Sequence, residues 1–318
     1  MLTPAPHAQA APTLAQTTEA GRAVDAAGGA AAKAVDGATA LVGADPYLWI
    51  SVILAALVLL GLFIGDVIRP GSPRRAGLRD TSPHPAFIWG ACVFLVYAAQ
   101  QVGGAIVAEF VLAGAARGVA ALTLRQQALL ALSGYLAGLA AAFIVVRLLR
   151  ISAPNSGLAA RPRDVGAGVL CFLLALPVVN AAAAGALALY QRLAGPVESA
   201  IAHDTLQKLV DNRSDPWAWA LAAAAVIAAP IVEEVLYRGL LQSALLRLTN
   251  RPWVAVFASS AIFALMHRLG APVPWYAVAT IFVLGVAMGL AFERTKSLAV
   301  PITMHVLFNA MNVAMAVL

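Results

Sequence analysis

Two adjacent carboxylates, Glu233 and Glu234, lie inside a long apolar run that begins near Trp217. A charged side chain placed in hydrocarbon costs about 2.5–3.5 kcal/mol on insertion scales, so charges in an apolar run indicate a functional site. Arg238 follows Glu234 by four residues, which puts both on one face of a helix as a potential ion pair. Glu233 points about 100° away and faces another partner. A purely structural Glu–Arg pair that locks two helices is the alternative.

Polar side chains recur in two later apolar segments. His267 ends a run that has no charge after Arg251, and Phe263 precedes it by four residues. His305 and Asn309 are also four residues apart and therefore share one helix face. A single polar residue of this kind usually makes a hydrogen bond between helices. With the segment that carries the paired carboxylates, three neighbouring segments therefore contain such residues. This recurrence predicts that they gather at one site.

The motifs Glu-Glu-x-x-x-Arg, Phe-x-x-x-His and His-x-x-x-Asn occur in this order over about residues 215 to 318. Together they resemble the motifs of the CPBP family, the intramembrane proteases grouped with type II CAAX prenyl endopeptidases and bacteriocin-processing enzymes. The resemblance implies an endopeptidase that acts within the membrane. It also implies six catalytic residues, which are Glu233, Glu234, Arg238, His267, His305 and Asn309.

The residue types suit peptide hydrolysis. A base must activate water, and the resemblance gives this part to Glu233, with Glu234 and Arg238 as its companions. The developing oxyanion needs hydrogen-bond donors, which Asn309 and His305 can supply. Because each type has a part in one reaction, an endopeptidase is the leading interpretation.

Whether the site uses a metal ion is left open by the sequence. A zinc ion with three protein ligands and a water could use His267, His305 and Glu233. The sequence has no His-Glu-x-x-His helix, and Asn309 is a poor zinc ligand that suits oxyanion binding better. A metal-assisted mechanism, with zinc as the expected ion, is preferred here. A glutamate protease that needs no metal stays open.

The composition defines the elements that must position these groups. The chain has 318 residues, of which 61% are hydrophobic and only 11% charged. This composition predicts an all-α, polytopic transmembrane bundle rather than a soluble domain. The net charge of +6 does not indicate nucleic-acid binding, because basic residues beside membrane spans follow from the positive-inside rule.

Apolar runs predict eight membrane spans, with the catalytic core in the last four. Their approximate ranges are 47–68, 86–112, 127–149, 165–190, 217–246, 253–267, 275–292 and 298–318. Twelve of the 21 Lys and Arg residues fall in the four loops on one side of this arrangement. That side is therefore predicted to be cytoplasmic, with both chain termini outside. The alanine-rich composition of the sequence favours a bacterial protein located in the inner (plasma) membrane.

Three regions follow from this arrangement. Residues 1–45 are expected to be a flexible alanine-rich tail, residues 46–214 N-terminal spans and loops, and residues 215–318 the protease core. The segment 191–216 is mostly polar, but its apolar residues are spaced as in a short amphipathic helix at the membrane surface. A plain loop is the alternative.

The expected partners are the lipid bilayer and a membrane-embedded or lipid-anchored peptide or protein substrate. Two interpretations from other classes stay open. The first is a non-enzymatic membrane protein that uses the same fold to bind or protect a partner. The second is an ion or metal transporter, which is less favoured because the first four spans offer few polar side chains and the chain shows no long internal repeat.

Overall fold

The computed structural model describes residues 46–112, 122–196, 204–270 and 273–318. Within these ranges the chain is helical and contains no β-strand. The predicted N-terminal tail, residues 1–45, lies outside the described residues, as do residues 197–203 of the polar segment. The all-α prediction is confirmed.

Eight of the helices are long and apolar enough to cross a membrane, as the apolar runs predicted. They are α1 (Pro46–Ile64), α3 (Ala86–Leu112), α4 (Leu124–Ser152), α5 (Val165–Ala194), α7 (Pro216–Thr249), α8 (Pro252–Gly270), α9 (Trp275–Thr295) and α10 (Ala299–Val317). Two short helices, α2 (Ser72–Arg75) and α6 (Asp204–Asp211), lie between them. The chain is an integral membrane protein, since these helices expose apolar side chains over most of their length.

The short helix α6 belongs to the polar segment for which the sequence left a helix and a loop open. Residues 204–211 are helical, and Leu209 is fully buried. Leu209 packs in one apolar cluster with Ala218 and Ala222 of α7 and with Val313 at the end of α10. This packing attaches the segment to the first turns of α7 and the last turns of α10.

Helix α7 is the central element of the bundle. Half of the residues in its most apolar stretch are buried, a larger share than in any other described span. Val232 and Leu236 belong to a core cluster shared with α3, α4 and α9, while Tyr237 also contacts a second cluster around Phe263. The helix that carries both predicted catalytic carboxylates therefore contacts neighbours on two sides.

Two π-helical segments, Ala224–Ala228 and Val235–Leu241, interrupt α7. Pro230 lies between them, and a proline inside a helix removes one backbone N–H and clashes with the carbonyl four residues earlier. Widened turns of this kind are common at functional sites. Here they flank Glu233 and Glu234.

Helices α3 and α4 approach each other closely through small residues. A Cβ on Gly103 would clash with the Ala137 Cβ and would lie 2.9 Å from the Ser133 carbonyl oxygen. Because lipid supplies no hydrophobic drive for helix association, such contacts between small residues hold membrane helices together. The pair forms the wall against which α7 packs.

A buried ion pair holds the C-terminal ends of α7 and α9 against the loops that precede α3 and α5. Arg79, in the loop before α3, is 3% exposed and binds both carboxylate oxygens of Glu293 at 2.6 and 3.1 Å. Its second terminal nitrogen donates to the Ser156 carbonyl and the Ser243 hydroxyl, both at 2.8 Å. Every nitrogen of Arg79 is thus paired. The loop that carries Arg79 and the helices around it therefore fold over this charge.

Candidate active site

Glu234 and Arg238 form a buried ion pair on one face of α7. The Arg238 Nη1 lies 3.1 Å from Glu234 Oε1, and both side chains are almost fully buried. Arg238 Nη2 also donates to the Gly285 carbonyl of α9 at 3.3 Å. The pairing predicted from the four-residue spacing is present. The pair also joins α7 to α9.

The same carboxylate oxygen holds a histidine from another helix. His305 of α10 lies with Nδ1 2.8 Å from Glu234 Oε1. A carboxylate only accepts hydrogen bonds, so Nδ1 carries the proton and donates it. In the neutral ring, Nε2 is then left as the acceptor. Glu234 therefore fixes both the tautomer and the orientation of His305.

His267 of α8 is oriented in the same way by its own helix. Its Nδ1 lies 2.9 Å from the Phe263 carbonyl oxygen, which can only accept. Nδ1 therefore donates, and Nε2 is the free ring nitrogen. Its side chain is 22% exposed, in contrast to the buried His305.

Glu233 faces both free ring nitrogens. Its Oε2 lies 3.8 Å from His267 Nε2 and 3.9 Å from His305 Nε2, and its side chain is 22% exposed. These separations exceed a direct hydrogen bond. A contact at such a separation can be bridged by a water molecule. The prediction that Glu233 faces a partner other than Arg238 is confirmed, and the partners are the two predicted histidines.

Phe263 lies at the centre of this group. The Arg238 guanidinium carbon is 4.3 Å from the ring centroid, and the rings of His267 and His305 pack edge-on at 4.5 and 5.7 Å. The ring fixes three of the predicted site residues through apolar and cation–π contacts. Phe263 belongs to the second motif but was not among the predicted site residues. Its fixed spacing before His267 was the signal.

Asn309 binds the backbone of α7 rather than a site side chain. Its Nδ2 donates to the Ala225 carbonyl at 2.8 Å. Ala229 N–H bonds to the Ala224 carbonyl, and the residue five after Ala225 is Pro230, which has no N–H. Asn309 thus supplies the donor that the proline removed. The oxyanion role expected for Asn309 stays a prediction.

The donors that face one another at this site are of the types that zinc prefers. Two imidazole nitrogens, each with its other nitrogen hydrogen-bonded, and one carboxylate oxygen form a common ligand set with an ordered outer shell. Tetrahedral zinc would bring these atoms to about 3.3 Å from one another, roughly 0.5 Å closer than they lie here. In the described part of the chain no three His, Cys, Asp or Glu side chains form a ready-made metal cluster. The predicted ligands His267, His305 and Glu233 therefore fit by type and would have to move together slightly.

Residues 215–311 match the family model described as type II CAAX prenyl endopeptidase Rce1-like. This part of the chain is similar to that family. The match confirms the resemblance found in the motifs. No curated protein and no solved structure matches the chain.

All six predicted catalytic residues lie within the matched segment. Four of them meet around Phe263 or the Glu234 carboxylate, and the fifth, Glu233, faces the two histidines. The backbone carbonyl of Gly285, a partner of Arg238, was not predicted from the sequence. A Cβ at this glycine would lie 3.3 Å from Arg238 Nη2 and 3.1 Å from the Ser260 Cβ. The absence of a side chain there lets α9 approach the ion pair.

Proposed function

We propose that the protein is an intramembrane endopeptidase that hydrolyses a peptide bond in a membrane-embedded or lipid-anchored substrate. The observation that carries this proposal is the position of Glu233. Its carboxylate faces two histidine Nε2 atoms at almost equal distances, and it is partly exposed while the supporting Glu234 is fully buried. The match to a family of CAAX prenyl endopeptidases supports the same reaction class.

In this mechanism Glu233 is the general base. A water hydrogen-bonded to Glu233 Oε2 and to one of the two histidine Nε2 atoms loses a proton to the carboxylate as its oxygen attacks the scissile carbonyl carbon. The C–N bond then breaks, and Glu233 returns the proton to the leaving amine. Water is thereby divided between the new carboxyl and amino ends. The low-dielectric surroundings strengthen each electrostatic contact in this step.

Glu234 and Arg238 act on the reaction through His305. The buried carboxylate holds the imidazole with Nε2 toward Glu233, and it stabilises the imidazolium if that ring takes up a proton. A protonated His305 can donate from Nε2 to the developing oxyanion. Arg238 holds the Glu234 carboxylate in place by direct pairing. Both are positioning residues.

A zinc ion, if bound, would be held by His267, His305 and Glu233 and would polarise the water and the scissile carbonyl. One observation favours this version. Each histidine donates from Nδ1, so each Nε2 carries a free lone pair, and both Nε2 atoms lie within 3.9 Å of one carboxylate oxygen. The metal-free version assigns all proton transfer to Glu233. Both use the same side chains in the same places.

Asn309 has a structural role and, in this proposal, a second role in binding the oxyanion. One amide hydrogen is committed to the Ala225 carbonyl, while the same nitrogen carries another hydrogen. We assign that second hydrogen to the oxyanion. A Pro230→Ala/Asn309→Ala double variant, compared with the two single variants, separates the two parts.

The test is cleavage of a fluorogenic farnesylated peptide and its unlipidated counterpart by the purified full chain in detergent, with metal content measured on the same sample. Glu233→Gln should lower kcat by at least about 100-fold with little change in thermal unfolding. Glu109→Gln, an exposed carboxylate on α3, is the matched control. Cleavage by Glu233→Gln at the wild-type rate would overturn the proposal. Zinc bound in a 1:1 ratio and lost in His267→Ala would select the metal-assisted version.

A further inference from the structure

A groove outside the candidate active site runs along α4 on the surface of the bundle. It has a volume of about 680 Å³. Its apolar walls come from three helices, with Leu139, Phe143 and Val146 from α4, Ile231 and Val235 from α7, and Ile302 from α10. Phe143 is 71% exposed, as expected for a residue that faces lipid. We call this cavity the α4 groove.

One end of the α4 groove is strongly basic. Arg147 and Arg150 of α4 line it directly. A second cavity of about 430 Å³ shares Arg150 and Ala160 with it and adds Arg161 and Arg163. The apolar groove and the basic cavity are therefore adjacent.

In the described part of the chain these arginines make almost no contact with the protein's own carboxylates. Within the described ranges no Asp or Glu lies within 4 Å of the guanidinium nitrogens of Arg147, Arg150 or Arg161. Arg163 makes one long contact of 3.9 Å with Asp164. Basic residues at span ends are expected from membrane topology alone. Topology does not require them to gather around two adjacent cavities, one of which is an apolar groove.

The length of the α4 groove matches one lipid leaflet. Leu139 and Arg150 are eleven residues apart, which is about 16 Å along the helix at 1.5 Å per residue. The hydrocarbon core of a bilayer is about 30 Å thick, so one leaflet contributes about 15 Å. An acyl chain that begins at the arginines would therefore reach the level of Leu139.

We propose that the α4 groove binds an anionic phospholipid, with one acyl chain along α4 and the headgroup phosphate at Arg147, Arg150 and Arg161. The lipid comes from the leaflet on the arginine side, which the positive-inside rule makes the cytoplasmic one. Basic pockets between membrane helices on this side suit phosphate headgroups. Arginine binds phosphate oxygens in pairs, which suits a ligand with one fixed phosphate.

The test compares phosphatidylglycerol and phosphatidylcholine with the same acyl chains, added to the full chain in non-ionic detergent. Native mass spectrometry counts the lipid that stays bound. Wild type should retain one phosphatidylglycerol in preference to phosphatidylcholine. Arg147→Gln/Arg150→Gln should bind it at least about 10-fold more weakly. Arg192→Gln/Arg251→Gln removes the same charge from exposed arginines outside the groove and should bind as wild type does.

A second variant tests the apolar part. Val146→Trp narrows the groove and leaves all arginines in place, so it should also lose phosphatidylglycerol; Leu139→Trp serves if the first variant does not fold. Equal displacement of the lipid by inorganic phosphate would overturn the proposal, because the arginines would then bind an anion without its chain. Displacement by a farnesylated peptide with a free carboxylate, at the same concentration as the lipid, would also overturn it and assign the groove to substrate. Equal retention by wild type and the arginine double variant would overturn it as well.

Discussion

The Asn309 side-chain amide donates a 2.8 Å hydrogen bond to the Ala225 carbonyl, whose helical partner is removed by Pro230. This contact joins α10 to the widened turn that precedes Glu233. An uncompensated buried carbonyl costs about 1–3 kcal/mol. The bond therefore links a residue of the third sequence motif to the geometry of the first.

Asn309→Ala is expected to lower the free energy of unfolding by about 1–3 kcal/mol. In a Pro230→Ala background the loss should be smaller, because the introduced alanine supplies a backbone N–H that can bond the Ala225 carbonyl. Thermal unfolding of the two single variants and the double variant measures this coupling. Strict additivity of the two changes would contradict the structural part of Asn309. A fall in kcat that persists in the double variant would support its oxyanion part.

Removal of one partner from the buried Glu234–Arg238 pair should be costly. Glu234→Leu leaves Arg238 buried without a carboxylate, which is expected to destabilise the fold by about 3–5 kcal/mol. Glu234→Leu/Arg238→Leu should recover most of that stability, since apolar replacement of a whole pair is often neutral. The double variant should still lose activity, because nothing then orients His305. Stability is read from chemical unfolding and activity from peptide cleavage. Full activity of the stable double variant would refute the positioning roles.

The close approach of α9 to the ion pair makes Gly285 sensitive to a single methyl group. Gly285→Ala should displace the Arg238 guanidinium or Ser260 by a few tenths of an ångström and destabilise the fold by about 1–3 kcal/mol. Gly185→Ala on α5 is the control, since a Cβ there meets no atom within 4 Å. Differential scanning fluorimetry on both variants checks the prediction. A Gly285→Ala protein as stable as Gly185→Ala would show that the contact is soft.

The Arg79–Glu293 pair should matter far more than a surface pair of the same chemistry. Arg79→Ala leaves Glu293 buried and uncompensated, with an expected cost of about 3–5 kcal/mol. Arg75→Ala breaks the exposed pair with Asp66 and should cost far less, because water screens an exposed ion pair. Unfolding midpoints in denaturant, measured for both, give the comparison. Similar losses in the two variants would contradict the burial of Arg79.

Gly157 supports the same cluster through its backbone. Its φ is +85°, a conformation that residues with a side chain rarely adopt, and a Cβ there would lie 2.7 Å from the Arg79 Cδ. Gly157→Ala should therefore destabilise the fold by more than about 1 kcal/mol, as measured by thermal unfolding. Gly195 is the control, because its φ is also positive but a Cβ there would have no atom within 4 Å. Equal losses for Gly157→Ala and Gly195→Ala would assign the effect to φ alone.

Local features of the chain were readable from the sequence because they depend on neighbours within one helix. The lengths of the apolar runs predicted eight spans, and their ends agree with the helices to within about four residues. The spacing of Glu234 and Arg238 predicted an ion pair because residues four apart share a helix face. The motifs indicated which further side chains belong to the site.

Other features depended on contacts between segments that are far apart in the chain. Glu234 and His305 are 71 residues apart, and nothing along either helix specifies that Nδ1 of one ring meets Oε1 of the other residue. Arg79 stands among Pro and Gly residues typical of an exposed loop, yet it is buried because Glu293 and the Ser156 carbonyl converge on it. The sequence thus determined which residues are polar within the membrane and how they are spaced on each helix. Helix packing alone decided their partners, because a buried charge is stable only where distant segments complete its hydrogen bonds.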